Sequence, residues 1–410
     1  MLRWIIVILF FGIIEFYAFQ SIRTVSRNTI VHWIYWLITA LVFGNFIFQF
    51  YGITRSGFGQ SQGYAFAFMI ALFVPKMVII ALMFGEDIIR VPQAIYRYFT
   101  KTPIEAGGYL SDRRAFLSKI ALGLAAIPFV SILHGIYKGK YNFKVLKYTL
   151  HFEDLPKAFD GFQLTQISDI HAGSFDNNEK VLYAIDLINE QKSDVILFTG
   201  DMVNNKAEEM APYKTMFSTL SAKDGLYSVL GNHDYGDYVK WDSDEDKKAN
   251  LESLIQLQKD IGFDILLNEH RFIEKDGERI AIVGVENWGA GGFKKAGDLK
   301  KASKGVDTND FKILLSHDPS HWEKEVIVDK KKYHLTLSGH THGMQFGIEI
   351  PGWFKWSPVK WRYKYWAGIY KEMDQYINVN RGFGYLAFPG RVGIWPEISV
   401  ITLKRGAQEA

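Results

Sequence analysis

The chain has 410 residues, 48% of them hydrophobic and 15% aromatic, which allows more than one domain and an ample core. A net charge of +3, from 47 basic and 44 acidic residues, gives no case for nucleic acid as a partner. No cysteine is present, so disulfides and thiolate chemistry are excluded, and any metal site must be built from His, Asp, Glu, Asn and water.

The first third contains four apolar runs long enough to cross about 30 Å of hydrocarbon: Trp4–Phe19, Ile30–Tyr51, Tyr64–Phe84 and Phe116–Ile136. The first lacks a small-residue cleavage site and is followed at once by another span, so it reads as an uncleaved anchor rather than a signal peptide. Arg23 and Arg27 lie between spans one and two, and Arg90, Arg97, Lys101, Arg113 and Arg114 between three and four. Only Arg3 and Arg55 lie on the other side, so the basic loops are cytoplasmic and everything past Ile136 is expected outside the membrane. Lys138, Lys140, Lys144 and Lys147 pull the other way. The stretch SDRRAFLSKIALGLAAIPF, residues 111–129, breaks the tie: it has the form of a twin-arginine export signal, which implies the twin-arginine machinery as a partner. Its arginines can also be read as plain cytoplasmic anchors. Pro75 and Lys76 interrupt the third run as a polar pathway, a snorkelling cation or a helix-pairing site.

The expected division is a membrane region over 1–136, a basic linker and first strand over 137–160, and one α/β domain over 161–410. In that domain β-branched apolar runs alternate with amphipathic segments. Strands are predicted at FQLTQIS, DVILFTG, GLYSVLG, RIAIVGV, FKILLSH, HLTLSGH, QYINVN and EISVITL. Val181, Leu182, Ile185 and Ile188 recur at helical spacing, and further helices are predicted over Ala207–Leu220 and Ala249–Ile261.

Five of the strands stop in a polar cluster: SDIH (Ser168–His171), GD (Gly200, Asp201), GNHD (Gly231–Asp234), SHD (Ser316–Asp318) and GHTH (Gly339–His342). Sites in α/β sheets form at the carboxyl ends of strands, so these clusters can converge. Asp169 with His171, and His340 with His342, are two residues apart, which in an extended segment puts both side chains on one face. Asp169, His171, Asp201, Asn232, His317, His340 and His342 make seven residues of metal-ligand type. One tetrahedral ion needs about four, so the surplus argues for two ions sharing a carboxylate. Gly200, Gly231 and Gly339 serve tight turns, and His151, His270, His321 and His334 receive no role.

SDIH, GD, GNHD, a later His and GHTH, in that order, resemble the calcineurin-like metallophosphoesterase superfamily. The resemblance covers roughly Phe143 to Arg405. The twin-arginine segment, GHTHG and the late NRGFG…PGR…PEISVITL are most similar to its membrane-associated bacterial branch of YkuE-like and YaeI-like phosphodiesterases. It implies a four-layer α/β/β/α sandwich of two mixed sheets behind an all-α membrane region. It also implies one ion on Asp169, His171, Asp201 and His342, and a second on Asp201, Asn232, His317 and His340. His233 matches the family's non-ligand histidine, which stabilises the transition state or protonates the leaving oxygen, with Asp234 orienting it. The donors suit Mn, Fe or Zn alike. Met344 and Asn204 depart from the branch's usual glycine and the Asp of several relatives, which bears on substrate contacts rather than on the metals.

The segment PGWFKWSPVKWRYKYWAGIY, residues 351–370, interleaves Trp353, Trp356, Trp361 and Trp366 with Lys355, Lys360, Arg362 and Lys364. It reads either as a bilayer-facing loop or as one packed over the sandwich, and it borders the site in both cases. The intact ligand set favours a membrane-anchored hydrolase of phosphoesters over a dead scaffold or a sensor, and the four-span tether with the Trp- and Lys-rich loop favours a phospholipid or lipid-linked substrate over a soluble one.

Overall fold

The structure, a computed structural model, describes residues 2–51, 59–100, 108–350 and 352–407. Arg55, Lys101 and Pro351, which entered the sequence reading, lie outside those residues. The chain divides into two compact units, one of helices from Met1–Ile53 and Ser61–Ile136 and one over Thr54–Gln60 and Tyr137–Ala410.

Among the described residues the first unit has four helices: α1 (Leu2–Val25), α2 (Thr29–Tyr51), α3 (Gln60–Thr100) and α4 (Gly108–Tyr137). Each carries a stretch apolar and long enough to cross a bilayer: Ile8–Val25, Thr29–Tyr51, Gln60–Ile88 and Arg113–Tyr137. No residue of α2 is buried. α3 is longer than its apolar run predicts. It continues through Pro75 and Pro92 for 41 residues, because Ala, Gln, Arg and Ile keep the helix going after hydrophobicity falls.

Lys76 is 5% exposed, and its Nζ lies 2.5 Å and 2.7 Å from the two carboxylate oxygens of Glu15 in α1. The hydroxyls of Tyr35 and Thr39 in α2 donate to the same carboxylate at 2.7 and 3.2 Å. Of the three readings of Lys76, helix pairing is the one these contacts support, since the cation is enclosed rather than snorkelled. Further along α3, Glu86 and Asp87 face Arg113 and Arg114 of α4 at 3.8 and 3.4 Å, and Tyr17 donates to Asp87 at 2.6 Å.

The second unit is a sandwich of two mixed six-stranded sheets. The first sheet joins β1 (Lys144–Phe152), β2 (Gln163–Ile167), β3 (Val195–Phe198), β4 (Leu226–Ser228), β5 (Phe263–Ile265) and β14 (Glu397–Arg405), with β14 between β1 and β2. The second is ordered β12 (Gly368–Glu372), β13 (Gln375–Val379), β9 (Leu335–Ser338), β8 (Phe311–Leu315), β7 (Glu278–Gly284), β6 (Glu269–Lys275). All eight predicted strands are present. The remaining strands are short or carry charged residues, so their alternation is weak; among them β10 (Ile348–Ile350) and β11 (Phe354–Trp356) pair only with each other.

β3 shows why the layers form. Val195 and Leu197 pack between the sheets with Leu164, Ile282 and Ile313, while Ile196 and Phe198 pack against helices α5 (Asn178–Asn189) and α7 (Asp244–Ile261). On the far face, Ala281, Val283 and Leu314 pack with α8 (Leu299–Ala302) and Trp322 of α9 (Ser320–Lys324), completing four layers. The helix predicted over Ala207–Leu220 is a 3-10 segment, Ala207–Tyr213, running into one turn of α-helix, α6 (Lys214–Phe217). Pro212 lacks the N–H that a regular α-helix needs there. α7 starts five residues before the predicted Ala249 because Ser243 caps it, accepting from Asp246 N ahead of an acidic first turn.

Candidate metal centre

The five polar clusters follow β2, β3, β4, β8 and β9, so the two sheets deliver them to one edge of the sandwich. Their side chains sort into two groups whose ligand atoms lie within 4.8 Å of one another: Asp169, His171 and His342, and Asp201, His317 and His340. Oδ2 of Asp201 is 3.0 Å from Nε2 of His317 and 3.6 Å from Nε2 of His171, so one oxygen faces both groups. Nε2 of His342 lies 3.2 Å from Oδ1 of Asp169 and 3.0 Å from Nε2 of His171.

Five of these residues, Asp169, His171, Asp201, His340 and His342, have left-handed backbone, with φ between 50° and 69°. The extended geometry expected of SDIH and GHTH therefore does not hold at the ligands themselves. An L-residue in that region costs about 1–2 kcal/mol, which the surrounding turns must overcome. Two glycines permit the crowding. A Cβ on Gly339 would stand 1.9 Å from Oγ of Ser168, and one on Gly231 would stand 2.2 Å from Oδ1 of Asp201.

The nitrogen of each histidine that turns away from its group is held. Nδ1 of His171 meets Oδ1 of Asn204 at 3.1 Å, Nδ1 of His317 the carbonyl of Thr199 at 2.7 Å, and Nε2 of His340 the hydroxyl of Tyr363 at 2.8 Å. Nδ1 of His342 lies 3.3 Å from Nη2 of Arg391, a fully buried arginine whose other partners are carbonyl oxygens. Such contacts fix ring orientation and leave the opposite nitrogen for a ligand. Asn232 donates from Nδ2 to Tyr238 at 2.8 Å, while its Oδ1 is buried without a hydrogen-bond partner. An orphaned buried acceptor beside two carboxylates and four inward-facing imidazoles is what a site shaped for cations leaves, so the residues fit metal ions.

Burial opposes the proton on His317, yet the Asp201 and Asp169 charges outweigh it and push its pKa up to about 10. Burial alone dominates at His340, pulling it down to about 4. His233 lies beside the groups, its N–H donating to Oδ1 of Asp201 at 2.8 Å. Asp234, expected to orient it, does something else. Its carboxylate accepts backbone N–H groups of Asp201, Met202 and Gly231 at 2.8–2.9 Å and so clamps the GD loop to the GNHD loop. The His233 ring is oriented by the carbonyl of Asn204, 2.8 Å from Nδ1.

A cavity of about 600 Å³ opens over the centre. His171, Asp201, Asn232, His233, His340 and His342 form one wall; Phe293, Met344, Val359, Trp361, Arg362, Tyr363 and Leu386 line the rest. Asn204 was legible as a departure in the GD loop, though not its double role. Tyr363, Phe293 and Arg391 had no local signal, because only the tertiary fold brings them to the histidines.

A buried pair of His/Asp clusters at the strand ends of an α/β/β/α sandwich defines a metal-dependent hydrolase. The family described as "Calcineurin-like phosphoesterase" matches residues 162–344, and "Probable Calcineurin-like phosphoesterase, transmembrane domain" matches residues 2–140. The metallophosphoesterase YkuE of Bacillus subtilis (strain 168) is 30% identical over 299 residues, 72% of this chain and 98% of its own. YkoQ of the same organism is 26% identical over 68% of this chain and 97% of its own. A "Transmembrane protein with metallophosphoesterase domain" of Danio rerio is 28% identical over 68% of this chain, which spans 61% of that relative's length. The chain belongs to the calcineurin-like metallophosphoesterase family, as a phosphoester hydrolase with four apolar helices ahead of its catalytic domain.

Proposed function

We propose that the protein is a membrane-anchored binuclear phosphoesterase that cleaves a phosphodiester or phosphomonoester of an amphiphilic, lipid-linked substrate at the outer face of the cytoplasmic membrane. The observation that carries this reading is the lining of the cavity, where members of both His/Asp groups, with Asp201 within 3.6 Å of a histidine of each, stand together with Phe293, Met344, Val359 and Trp361. Asp169, His171, Asp201 and His342 would hold one ion, and Asp201, Asn232, His317 and His340 the other, with Mn, Fe or Zn suiting the donors. Bound there, such ions neutralise phosphate charge and bring a water's pKa toward 7. His233, its Nδ1 proton committed to the Asn204 carbonyl, donates to the leaving oxygen from Nε2 when the ring is doubly protonated. Outer placement is supported by the loop charges and by the form of residues 111–129.

The test is metal analysis of the purified full chain, followed by hydrolysis of nitrophenyl phosphate mono- and diesters and of a phospholipid. Two ions per chain and preferred turnover of the lipid are expected. Equal preference for soluble esters would reduce the membrane part to an anchor, and full turnover without metal would overturn the reading.

A further inference from the structure

The β10–β11 hairpin is built inside out. In its antiparallel register Ile348 faces Trp356 and Ile350 faces Phe354, so these four share one face, and Glu349 and Lys355 share the other. An antiparallel ribbon on a protein surface ordinarily turns its apolar face to the core and its polar face to water. Here the polar face is the one tied to the domain. Glu349 is ion-paired with Arg381 at 2.6 Å, while Nζ of Lys355 donates to the Ala367 carbonyl at 2.5 Å and sits over the Tyr370 ring at 4.3 Å. Ile348, Ile350 and Phe354 are left exposed.

Flanking residues extend the same surface. Trp353, just before β11, is 81% exposed, Trp361 is 75% and Met344 is 59%. Met344 and Trp361 also line the cavity, so the apolar surface is continuous with the mouth of the metal centre. The sequence from Met344 to Arg362 contains one acid, the paired Glu349, against exposed Lys360 and Arg362. The aromatic segment is therefore divided. Trp366, with Val359 and Tyr363, packs inward in a small core, and Lys364 is occupied by Glu372 at 2.9 Å, while Trp353, Phe354 and Trp361 turn outward.

We propose that this hairpin, with Trp353 and Trp361, docks the mouth of the metal centre on an anionic bilayer surface, so that substrate phosphate reaches the ions from the headgroup layer. Exposed indoles and aliphatic side chains beside unopposed cations match that layer, where aromatic rings settle and basic residues meet anionic lipid. A bilayer is within reach of any chain that carries four spans. The assignment of substrate class rests on the phosphoesterase reading; the docking itself does not.

The absence of cysteine makes a direct test available, because one introduced thiol is the sole labelling position. Full-length Phe354→Cys and Tyr183→Cys, the latter exposed on α5, would carry a nitroxide in nanodiscs of phosphatidylcholine with a phosphatidylglycerol minority. The label at 354 is expected to collide with oxygen more than with a water-soluble nickel chelate, and the label at 183 the reverse. Nickel access at 354 equal to that at 183 would overturn the proposal. So would spin–spin broadening at 354 that grows with protein per disc, which would seat a second copy there instead. In parallel, Trp353→Ser with Phe354→Ser, neither of which lines the cavity, should lower phospholipid turnover on the order of tenfold and leave a soluble nitrophenyl diester unaffected. Equal loss on both would return the hairpin to a packing role. A wild-type chain inert on every ester would refute the phosphoesterase reading while the label depths still decided the docking.

Discussion

Oδ2 of Asp201 lies 3.0 Å from Nε2 of His317, both side chains being buried, and the same oxygen faces His171 at 3.6 Å. Asp201→Asn keeps the shape and removes the charge, so on the proposed bridging role it withdraws a ligand from both groups at once. Hydrolysis should fall by more than the roughly 10²–10⁴-fold expected of a lost general acid, with fewer than two ions per chain and unchanged thermal unfolding. Near-normal turnover with two ions bound would exclude Asp201 as the bridge.

The metal-free centre should be sensitive to alkali. An unfolded histidine titrates near 6.5, whereas Asp201 and Asp169 overcome burial and hold folded His317 up to about 10. A pKa raised by folding contributes stability that is complete below about 6.5 and lost as pH rises toward about 10. Chelated protein is therefore expected to lose thermal stability across that window, and metal-loaded protein, in which the ion replaces the proton, is not. Melting scans at stepped pH check this; a flat or rising Tm in the chelated protein contradicts it.

His233→Ala should separate from the ligand variants by retaining its ions and losing rate, on the order of 10²–10⁴-fold for esters with poor leaving groups and far less for nitrophenolate. Burial holds the His233 pKa below its ordinary value, against the pull of Asp201. Turnover of poor-leaving-group esters should accordingly begin to decline below pH 6.5 and go on falling as pH rises, while nitrophenyl ester turnover does not. A uniform rate loss across leaving groups would assign His233 to binding.

In the membrane unit, Lys76→Met strands the Glu15 carboxylate among apolar helices and should cost about 3–5 kcal/mol, whereas Lys76→Leu with Glu15→Leu should recover most of that loss. Unfolding of the full chain in detergent measures the coupling. Strictly additive losses would mean that the pair does not join α1 to α3.

Arg113→Lys with Arg114→Lys keeps both charges opposite Glu86 and Asp87 but breaks the twin-arginine pattern. If that pattern exports the catalytic domain, a protease added to the outer face should digest the domain in the wild type and spare it in the variant. Equal digestion would leave the two arginines as helix-pairing residues.

The sandwich was legible because its central strands are continuous apolar runs, buried on both faces, that stop in polar clusters; β3 and β8 are examples. The seven candidate ligands stood out for the same reason, since each lies just beyond such a run, and the structure brings six of them into two His/Asp groups. The left-handed backbone at Asp169 and His342 was not, because Asp and His adopt it without the glycine that usually signals it. Nor was the role of Asp234, where a carboxylate beside a histidine in sequence binds backbone amides instead of the ring. The hairpin was half legible. Its aromatics and cations were visible as a set, but which of them turn outward depends on Arg381 and Ala367 capturing its polar face.

β14 enters the first sheet between β1 and β2, and the segment leading to it reaches the centre, Phe383 and Gly384 donating to the carbonyls of Ser168 and Asp169. The strand made last among those described therefore closes the sheet on which the earliest ligands stand. β2 begins at Gln163 and β14 at Glu397, so at roughly 5–20 residues per second the SDIH turn waits some tens of seconds for the strand that secures it. The helical unit is synthesised long before, and the centre is complete only once β14 has been made and paired. Any ion held by these residues would be bound after that step, so the compartment in which β14 pairs would bear on its identity as much as the affinity order of the donors.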